Sequence, residues 1–191
     1  MSEFRDFDIS DSIYEGTNTH VYRAVRTSEN RPVILKTTAN AHPSPNEVAR
    51  YRHEYHILNS LKPQGSKHVI HVLDLVFHDH RPYLVMADFG GIDLRNLLKI
   101  RSLELGQLID ISIKIALGLS EIYQLNIIHK DIKPANILLN PETGDLRLID
   151  FSSASIISRE TPTVESSMLM TATLPYMSPE QTGRMNRMVD W

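Results

Sequence analysis

The sequence predicts an α+β fold with two unlike lobes, because segments typical of strands come first along the chain and a long helix follows. Four short apolar segments rich in β-branched residues read as strands, at 20–25, 33–37, 72–77 and 83–87. The pattern changes at residues 88–91, which contain two glycines. We therefore expect a strand-rich lobe over residues 1–87, a helical lobe over residues 88–191, and a cleft between them.

One helix interrupts the predicted strands. Ser44 and Glu47 have the spacing of a capping box, and Pro45 occupies the first helical position. The apolar residues that follow at helical spacing are Val48, Tyr51, Tyr55 and Leu58. The sequence therefore predicts a helix that begins at residue 45.

A longer helix is predicted over residues 104–124, where apolar residues recur every three or four positions. The residues of this stripe are Leu105, Leu108, Ile109, Ser112, Ile115, Ala116, Leu119, Ile122 and Tyr123. Because the stripe is wide, we expect this helix to lie in the core of the second lobe.

Composition excludes several classes of protein. The 191 residues are 41% hydrophobic and 23% charged, which is typical of globular chains. The net charge of -3 does not indicate the basic surface that binds nucleic acid. There is no cysteine, so disulfides and thiolate metal sites are excluded. No apolar run approaches the roughly 20 residues that span a bilayer, and the polar N-terminus is unlike a secretory signal. We expect a cytoplasmic protein without nucleic-acid or membrane partners.

The segment HKDIKPAN at 129–136 combines a carboxylate, cations and an amide. Two short apolar segments, 137–139 and 146–149, flank a cluster of Asn, Pro, Gly and Asp and predict a hairpin. A hairpin would return Asp150 to the neighbourhood of Asn136. A carboxylate and an amide oxygen that converge there are suitable ligands for Mg²⁺.

These residues resemble the eukaryotic-type Ser/Thr protein kinases. Residues 129–136 resemble the catalytic loop of that family, 150–152 its metal-binding DFG segment, and 178–180 its APE segment. Upstream, 33–36 stand where the family has V-A-I-K, and Glu54 matches the helix glutamate that pairs with its lysine. Residues 83–86, followed by Asp93 and Leu94, resemble the hinge between lobes. The six motifs occur in the order of the family.

The resemblance implies a protein-kinase-like two-lobe fold and transfer of the γ-phosphoryl group of ATP to a Ser or Thr of a protein substrate, with Mg²⁺. It implies that Asp131 accepts the proton of the substrate hydroxyl and that Lys133 neutralises the transferred group. Asn136 and Asp150 are the implied metal ligands, and His129 is expected to pack internally. The implied nucleotide-binding residues are Gly16, Val21, Lys36, Glu54, Met86, Asp88 and Phe89.

Three departures from the family pattern affect these expectations. Only Gly16 remains of three loop glycines, because Tyr14 and Thr19 occupy the other two positions. Lys130 stands for the usual Arg, and Ser152 for the Gly of DFG. The substitutions leave every implied catalytic group in the chain, although nucleotide contact at the loop is expected to be looser.

The C-terminal part resembles a narrower group. Residues 174–187 are similar to the kinase-like domains that precede multi-domain sensor histidine kinases, which suggests fused sensor or histidine kinase partners. Because the family's helical lobe continues beyond the point where this chain ends, we expect an incomplete helical lobe, truncated at Trp191 and inactive or marginally stable alone. Thr173 is expected to be structural, and the expected regulatory phosphosite is Thr171, Ser167 or Ser166.

Two other functions remain open at this point. A pseudokinase that binds nucleotide and regulates a fused partner is favoured by the glycine-poor loop, whereas the retained Lys36, Asp131, Asn136 and Asp150 argue against it. A small-molecule kinase of the antibiotic-phosphotransferase type would share the catalytic Asp and Asn. Lys133 and the segment 178–180 argue against that second alternative.

Overall fold

The computed structural model describes residues 6–157 and 174–179 and divides the chain into two compact units. The first unit lies within Met1–Lys62 and Ile70–Gly90, and the second lies within Pro63–Val69 and Gly91–Trp191. Residues 63–69 therefore belong to the second unit, although the chain on both sides of them belongs to the first.

A five-stranded antiparallel sheet and one helix build the first unit. Its elements are β1 (Phe7–Glu15), β2 (Thr19–Arg26), β3 (Arg31–Thr38), α1 (Pro45–Leu61), β4 (Val72–His78) and β5 (Arg81–Ala87). The strand order is β1-β2-β3-β5-β4. Strands β2 to β5 correspond to the four predicted segments, whereas β1 was not predicted.

One buried apolar cluster of the first unit lies on one face of this sheet. Its buried members are Phe7, Ala24, Val33, Leu35, Val76, Tyr83 and Val85. Because side chains alternate along a strand, Ile34 and Lys36 of β3 project from the opposite face. That second face is the one that Glu54 of α1 reaches.

Helix α1 begins where the sequence predicts. The N–H of Glu47 donates to the Ser44 hydroxyl oxygen at 3.3 Å, and the N–H of Ser44 donates to the Glu47 carboxylate at 2.8 Å. These two bonds satisfy backbone donors that a helix start leaves open. The buried side of the helix consists of Tyr51, Glu54, Ile57, Leu58 and Leu61.

The second unit contains two further helices and short strands. Its elements are β6 (Ile92–Asp93), α2 (Leu94–Ile100), α3 (Leu105–Tyr123), β7 (Ile127–Ile128), β8 (Ile137–Leu139), β9 (Leu146–Leu148) and β10 (Ser155–Ile156). Strands β8 and β9 form the predicted antiparallel hairpin, and β6 pairs with β8 on its other side. A short 3₁₀ helix, Pro134–Asn136, leads directly into β8.

Helix α3 is exposed over much of the face that we expected to be buried. Its buried residues are Ile111, Gly118 and Ile122, whereas Leu105 is 73% exposed and Ile109 is 52% exposed. The prediction of a wide buried stripe is therefore wrong. The buried residues of α3 instead form a narrow line that includes Gly118. Neighbouring residues pack closely there, because a Cβ added at Gly118 would lie 3.1 Å from side-chain atoms of both His68 and Leu148. No helix within residues 6–157 and 174–179 is long and apolar enough to cross a membrane.

One carboxylate binds residues 66–68 to α3. Glu121 accepts hydrogen bonds from the Ser66 hydroxyl, from the N–H of Lys67 at 3.3 Å and from the N–H of His68 at 3.1 Å. Its Oε1 also lies 2.7 Å from Nδ1 of His68. The N–H of Leu148 donates to the His68 carbonyl at 2.7 Å, which joins the same segment to β9. These contacts explain why residues 63–69 belong to the second unit.

We expect Glu121→Gln to lower the free energy of unfolding by about 2 kcal/mol near neutral pH, since hydrogen bonds to a charged group contribute about 1.5–3 kcal/mol. Burial alone would raise the pKa of Glu121, but hydrogen bonds from Ser66 and His68 outweigh it and hold the pKa below the ordinary 4.5. A carboxyl with a lowered folded pKa stabilises the fold above its unfolded pKa, and this contribution disappears as the pH falls through the folded value.

Denaturant unfolding near neutral pH and well below pH 4.5 tests this expectation. The difference between wild type and Glu121→Gln should shrink at the acidic pH. Glu142→Gln, on an exposed turn residue, is the matched control and should change stability little. Equal stability of wild type and Glu121→Gln near neutral pH would contradict the role of this carboxylate.

Candidate active site

A buried ion pair joins β3 to α1 in the first unit. The Lys36 Nζ lies 2.9 Å from Oε1 and 2.8 Å from Oε2 of Glu54. The Glu54 side chain is 2% exposed and the Lys36 side chain 14% exposed. Because water screens such a pair weakly, its attraction is stronger than that of a surface pair. The pair therefore holds a cation at a fixed position on the sheet.

Four side chains form a row across the sheet on the face that carries Lys36. The strand registers pair Tyr14 with Val21, Val21 with Lys36, and Lys36 with Leu84. Directly opposed residues of antiparallel strands project from the same face. Val21 is thus the neighbour of Lys36, and Tyr14 is the neighbour of Val21. Gly16 follows in the β1–β2 turn.

Asp88 is fixed by an ion pair within the first unit. Nε of Arg23 donates to one carboxylate oxygen at 2.7 Å, and the N–H of Gly90 donates to the other at 2.9 Å. Met86 is buried on β5 opposite Ile34, and Phe89 is half-buried. Sequence reasoning missed Arg23. The available signal was its position two residues after Val21, which places both side chains on one face of β2.

Asp131 is the centre of a hydrogen-bonded cluster in the second unit. The Lys133 ammonium donates to its Oδ2 at 2.6 Å, and the Asn136 amide nitrogen donates to the same oxygen at 2.9 Å. That nitrogen also donates to the Asp131 carbonyl at 2.8 Å. Asp131 is only 7% exposed. Its carboxylate is therefore held in one orientation by a cation and an amide from its own loop.

His129 is buried beside the loop that carries Asp131. It is 2% exposed, its ring packs 4.6 Å from the ring of Phe151, and its Nε2 lies 3.0 Å from the Ile149 carbonyl. The N–H of Asp131 donates to Nδ1, so Nε2 carries the proton and donates to Ile149. Burial lowers the pKa of His129, which favours this neutral form. His129 has the internal packing role that we expected.

The hairpin returns Asp150 to the neighbourhood of Asn136, as predicted. The N–H of Ile149 donates to the Asn136 carbonyl at 3.0 Å. Asp150 has φ +65°, in the left-handed region that few residues other than glycine adopt. The Ser152 hydroxyl donates to its Oδ1 at 2.9 Å. The sequence pattern does not predict this bond, although Ser152 replaces the Gly of the family's DFG segment.

These residues fit a magnesium ion by the chemistry of their donors. Because the Asn136 amide nitrogen is bound to Asp131, its oxygen is left to act as an acceptor, and Asp150 supplies carboxylate oxygens. Within the described residues there is no cluster of three or more His, Cys, Asp or Glu that could hold a metal alone. A site with one or two protein carboxylates completed by phosphate oxygens is typical of Mg²⁺.

Part of the predicted site lies outside the described residues. This applies to Glu180 of the APE-like segment, to Thr173, and to the expected phosphosites Thr171, Ser167 and Ser166. Ser178 and Pro179 are described and follow the short helix Leu174–Tyr176.

Comparison with known proteins identifies the class to which this fold and these residues belong. The protein kinase domain family matches residues 7–191, which is nearly the whole chain. The chain therefore belongs to the protein kinase domain family.

The relatives of this chain include bacterial Ser/Thr kinases. A probable serine/threonine-protein kinase of Clostridium perfringens is 29% identical over 177 residues, covering 92% of this chain and 25% of that protein. A probable serine/threonine-protein kinase of Streptomyces coelicolor is 30% identical over 178 residues, covering 92% and 26%. The serine/threonine-protein kinase PrkC of Bacillus subtilis is 29% identical over 168 residues, covering 87% and 25%. The chain spans about a quarter of the length of these relatives.

These relatives agree with the Ser/Thr kinase resemblance of the catalytic segments. They give no support to the narrower resemblance to sensor histidine kinases, which rested on residues 174–187.

Proposed function

We propose that the protein containing this chain is an ATP-dependent protein kinase that phosphorylates Ser or Thr of a protein substrate. The observation that supports this most strongly is the buried Asp131 carboxylate, held by Lys133 and Asn136 in a chain of the protein kinase family. A small-molecule kinase is less well supported, because the relatives described above are named as protein kinases.

Asp131 and Lys133 would perform the chemical step. The substrate oxygen forms a bond with the γ-phosphorus while the bond from that phosphorus to the β-phosphate oxygen breaks, and ADP leaves. Asp131 accepts the proton of the hydroxyl and aligns its oxygen. Lys133, 2.6 Å from the Asp131 carboxylate, is positioned to neutralise charge on the transferred group.

The first unit would contribute the nucleotide-binding residues. Lys36 pairs with the α- and β-phosphates while Glu54 keeps its side chain extended along the sheet. The other proposed contacts are Gly16, Val21, Met86, Asp88 and Phe89. For Asp88 we assign the contact to the backbone, because its carboxylate is bound to Arg23 and to the N–H of Gly90.

Asn136 and Asp150 would hold Mg²⁺, which neutralises phosphate charge when it is bound. The Ser152 hydroxyl, bound to Oδ1 of Asp150, restricts the rotation of that carboxylate. A cytoplasmic location belongs to the same proposal, because ATP and Mg²⁺ are abundant there.

Isothermal titration of the full-length protein with ATP tests the nucleotide part of this proposal. We expect binding that requires Mg²⁺ and that Lys36→Met combined with Asp150→Ala weakens by about 10- to 100-fold, because two charge-assisted contacts are lost. Lys99→Met with Asp145→Ala, at two exposed positions, is the matched control and should bind as wild type. Absence of magnesium-dependent binding, or equal binding by both double variants, would contradict the proposal.

A further inference from the structure

The side chain of Tyr14 lies over Gly16. A Cβ added at Gly16 would lie 2.6 Å from Cε1 and 2.7 Å from Cζ of the Tyr14 ring, and its contact with the hydroxyl oxygen would be closer still. Real Cβ atoms do not tolerate such distances, so only a glycine at position 16 accommodates the ring where it lies. The ring therefore covers the backbone of the β1–β2 turn at this point.

The strand register shows from which face of the sheet the Tyr14 ring projects. Tyr14 pairs with Val21, and Val21 pairs with Lys36, so the ring projects from the face that carries the lysine ammonium. The N–H of Gly16 donates within the turn to the carbonyl of Thr19 at 2.9 Å. The one glycine of the turn thus has its amide engaged and its open side covered by an aromatic ring.

We propose that Tyr14 sets the affinity of the chain for nucleotide phosphates, because its ring must turn away from Gly16 before a phosphate group reaches the β1–β2 turn. The inference rests on the proposed nucleotide binding beside Lys36. It assigns to Tyr14 a steric role in the selection of ligands, and it assigns no bond from the phenol to phosphate.

The exposure of Tyr14 allows its ring to turn away from Gly16. Tyr14 is 51% exposed, and the described residues offer its hydroxyl no hydrogen bond, so packing on Gly16 is what holds the ring over the turn. When only a fraction of molecules has a competent site, the apparent affinity falls by that fraction. A ligand without phosphates does not reach the turn, and its affinity is independent of the ring.

Titration of the full-length protein with ATP·Mg²⁺ and, separately, with adenosine tests the proposal. Tyr14→Ala should tighten ATP binding by about 3- to 10-fold, by removing the covered population, and should leave adenosine binding unchanged. Tyr14→Phe retains the ring and should bind both ligands as wild type. Tyr123→Ala removes an equally exposed tyrosine outside the site and should also change neither.

Each other outcome overturns the proposal. Unchanged or weaker ATP binding by Tyr14→Ala would mean that the ring is no barrier. Weaker ATP binding by Tyr14→Phe would mean that the hydroxyl binds phosphate. A parallel gain for adenosine and ATP would mean that the ring acts on the nucleoside instead.

A double-mutant cycle of thermal unfolding, measured without ligand, tests whether the Tyr14 ring covers Gly16. Gly16→Ala should raise Tm by about 2 °C in the Tyr14→Ala background, because alanine restricts the unfolded chain. In the presence of Tyr14 the same substitution should give no gain or a loss, because the new methyl group displaces the ring. Equal shifts in both backgrounds would overturn the proposal. If no variant bound nucleotide, the proposed function would fail, while this cycle would still decide whether the ring covers Gly16.

Discussion

Replacement of Asp131 by Asn is expected to lower phosphoryl transfer by about 10²- to 10⁴-fold while ATP affinity stays nearly unchanged. In the proposed mechanism the carboxylate accepts the proton of the incoming hydroxyl, which an amide of similar shape cannot do. At about 1.4 kcal/mol per decade, the loss corresponds to roughly 3–5 kcal/mol of transition-state stabilisation. Transfer to a Ser/Thr protein substrate and ATP titration, both on the full-length protein, measure the two quantities.

Two readouts separate this effect from a structural one. Asp131 is buried and bound to Lys133 and Asn136, so the thermal stability of Asp131→Asn should be measured beside its activity. Asp145→Asn makes the same chemical change at an exposed position of the second unit and should retain full activity. An Asp131→Asn variant as active as wild type would end the catalytic assignment.

Replacement of Lys36 by Met is expected to destabilise the first unit as well as to weaken nucleotide binding. Removal of one partner of a buried ion pair costs about 3–5 kcal/mol, and we expect about 3 kcal/mol here because Lys36 is partly accessible to water. The cost arises because the Glu54 carboxylate stays buried without the ammonium that lies 2.8 Å from it. Denaturant unfolding measures the stability, and ATP titration the affinity.

A double substitution separates the two roles of Lys36. Lys36→Met with Glu54→Leu removes both charges, so it should recover much of the lost stability and none of the lost ATP affinity. Lys99→Met on the exposed side of α2 should change neither quantity. If the double variant were as unstable as Lys36→Met alone, the destabilisation would have a cause other than the buried carboxylate.

Local patterns in the sequence predicted several elements well. The capping box at Ser44 fixed the start of α1, and the turn residues between 137–139 and 146–149 predicted the β8–β9 hairpin. Strand β1 was missed because FDISDSIYE is largely polar, and eight of its nine residues are exposed. Helix α2 was missed because its seven residues are too few for a clear periodicity.

Contacts between distant segments could not be predicted in the same way. The resemblance selected Asp131, Lys133 and Asn136, which lie within six residues of one another, and these side chains are bonded together. The bond from Arg23 to Asp88 joins residues 65 positions apart, and the bonds from Glu121 join residues more than 50 positions apart. No local pattern encodes such partners, because they depend on how the elements pack.

The exposure of α3 could not be predicted for the same reason, because it depends on how the elements pack. A period of three to four residues identifies an amphipathic helix, but it does not tell how much of the apolar face another element covers. Close packing is confined to the line through Gly118, where the absence of a side chain permits contact with His68 and Leu148. Leu105 and Ile109 share the periodicity and remain exposed.

A labelled transfer reaction tests most directly the proposal that this chain carries a magnesium-dependent Ser/Thr protein kinase active site. The full-length protein is incubated with γ-labelled ATP and a generic Ser/Thr protein substrate, with and without Mg²⁺, beside Asp150→Ala. We predict label on serine or threonine of the substrate that requires Mg²⁺ and is lost in Asp150→Ala. Tight ATP binding by wild type without any transfer, or transfer that persists in Asp150→Ala, would contradict the account.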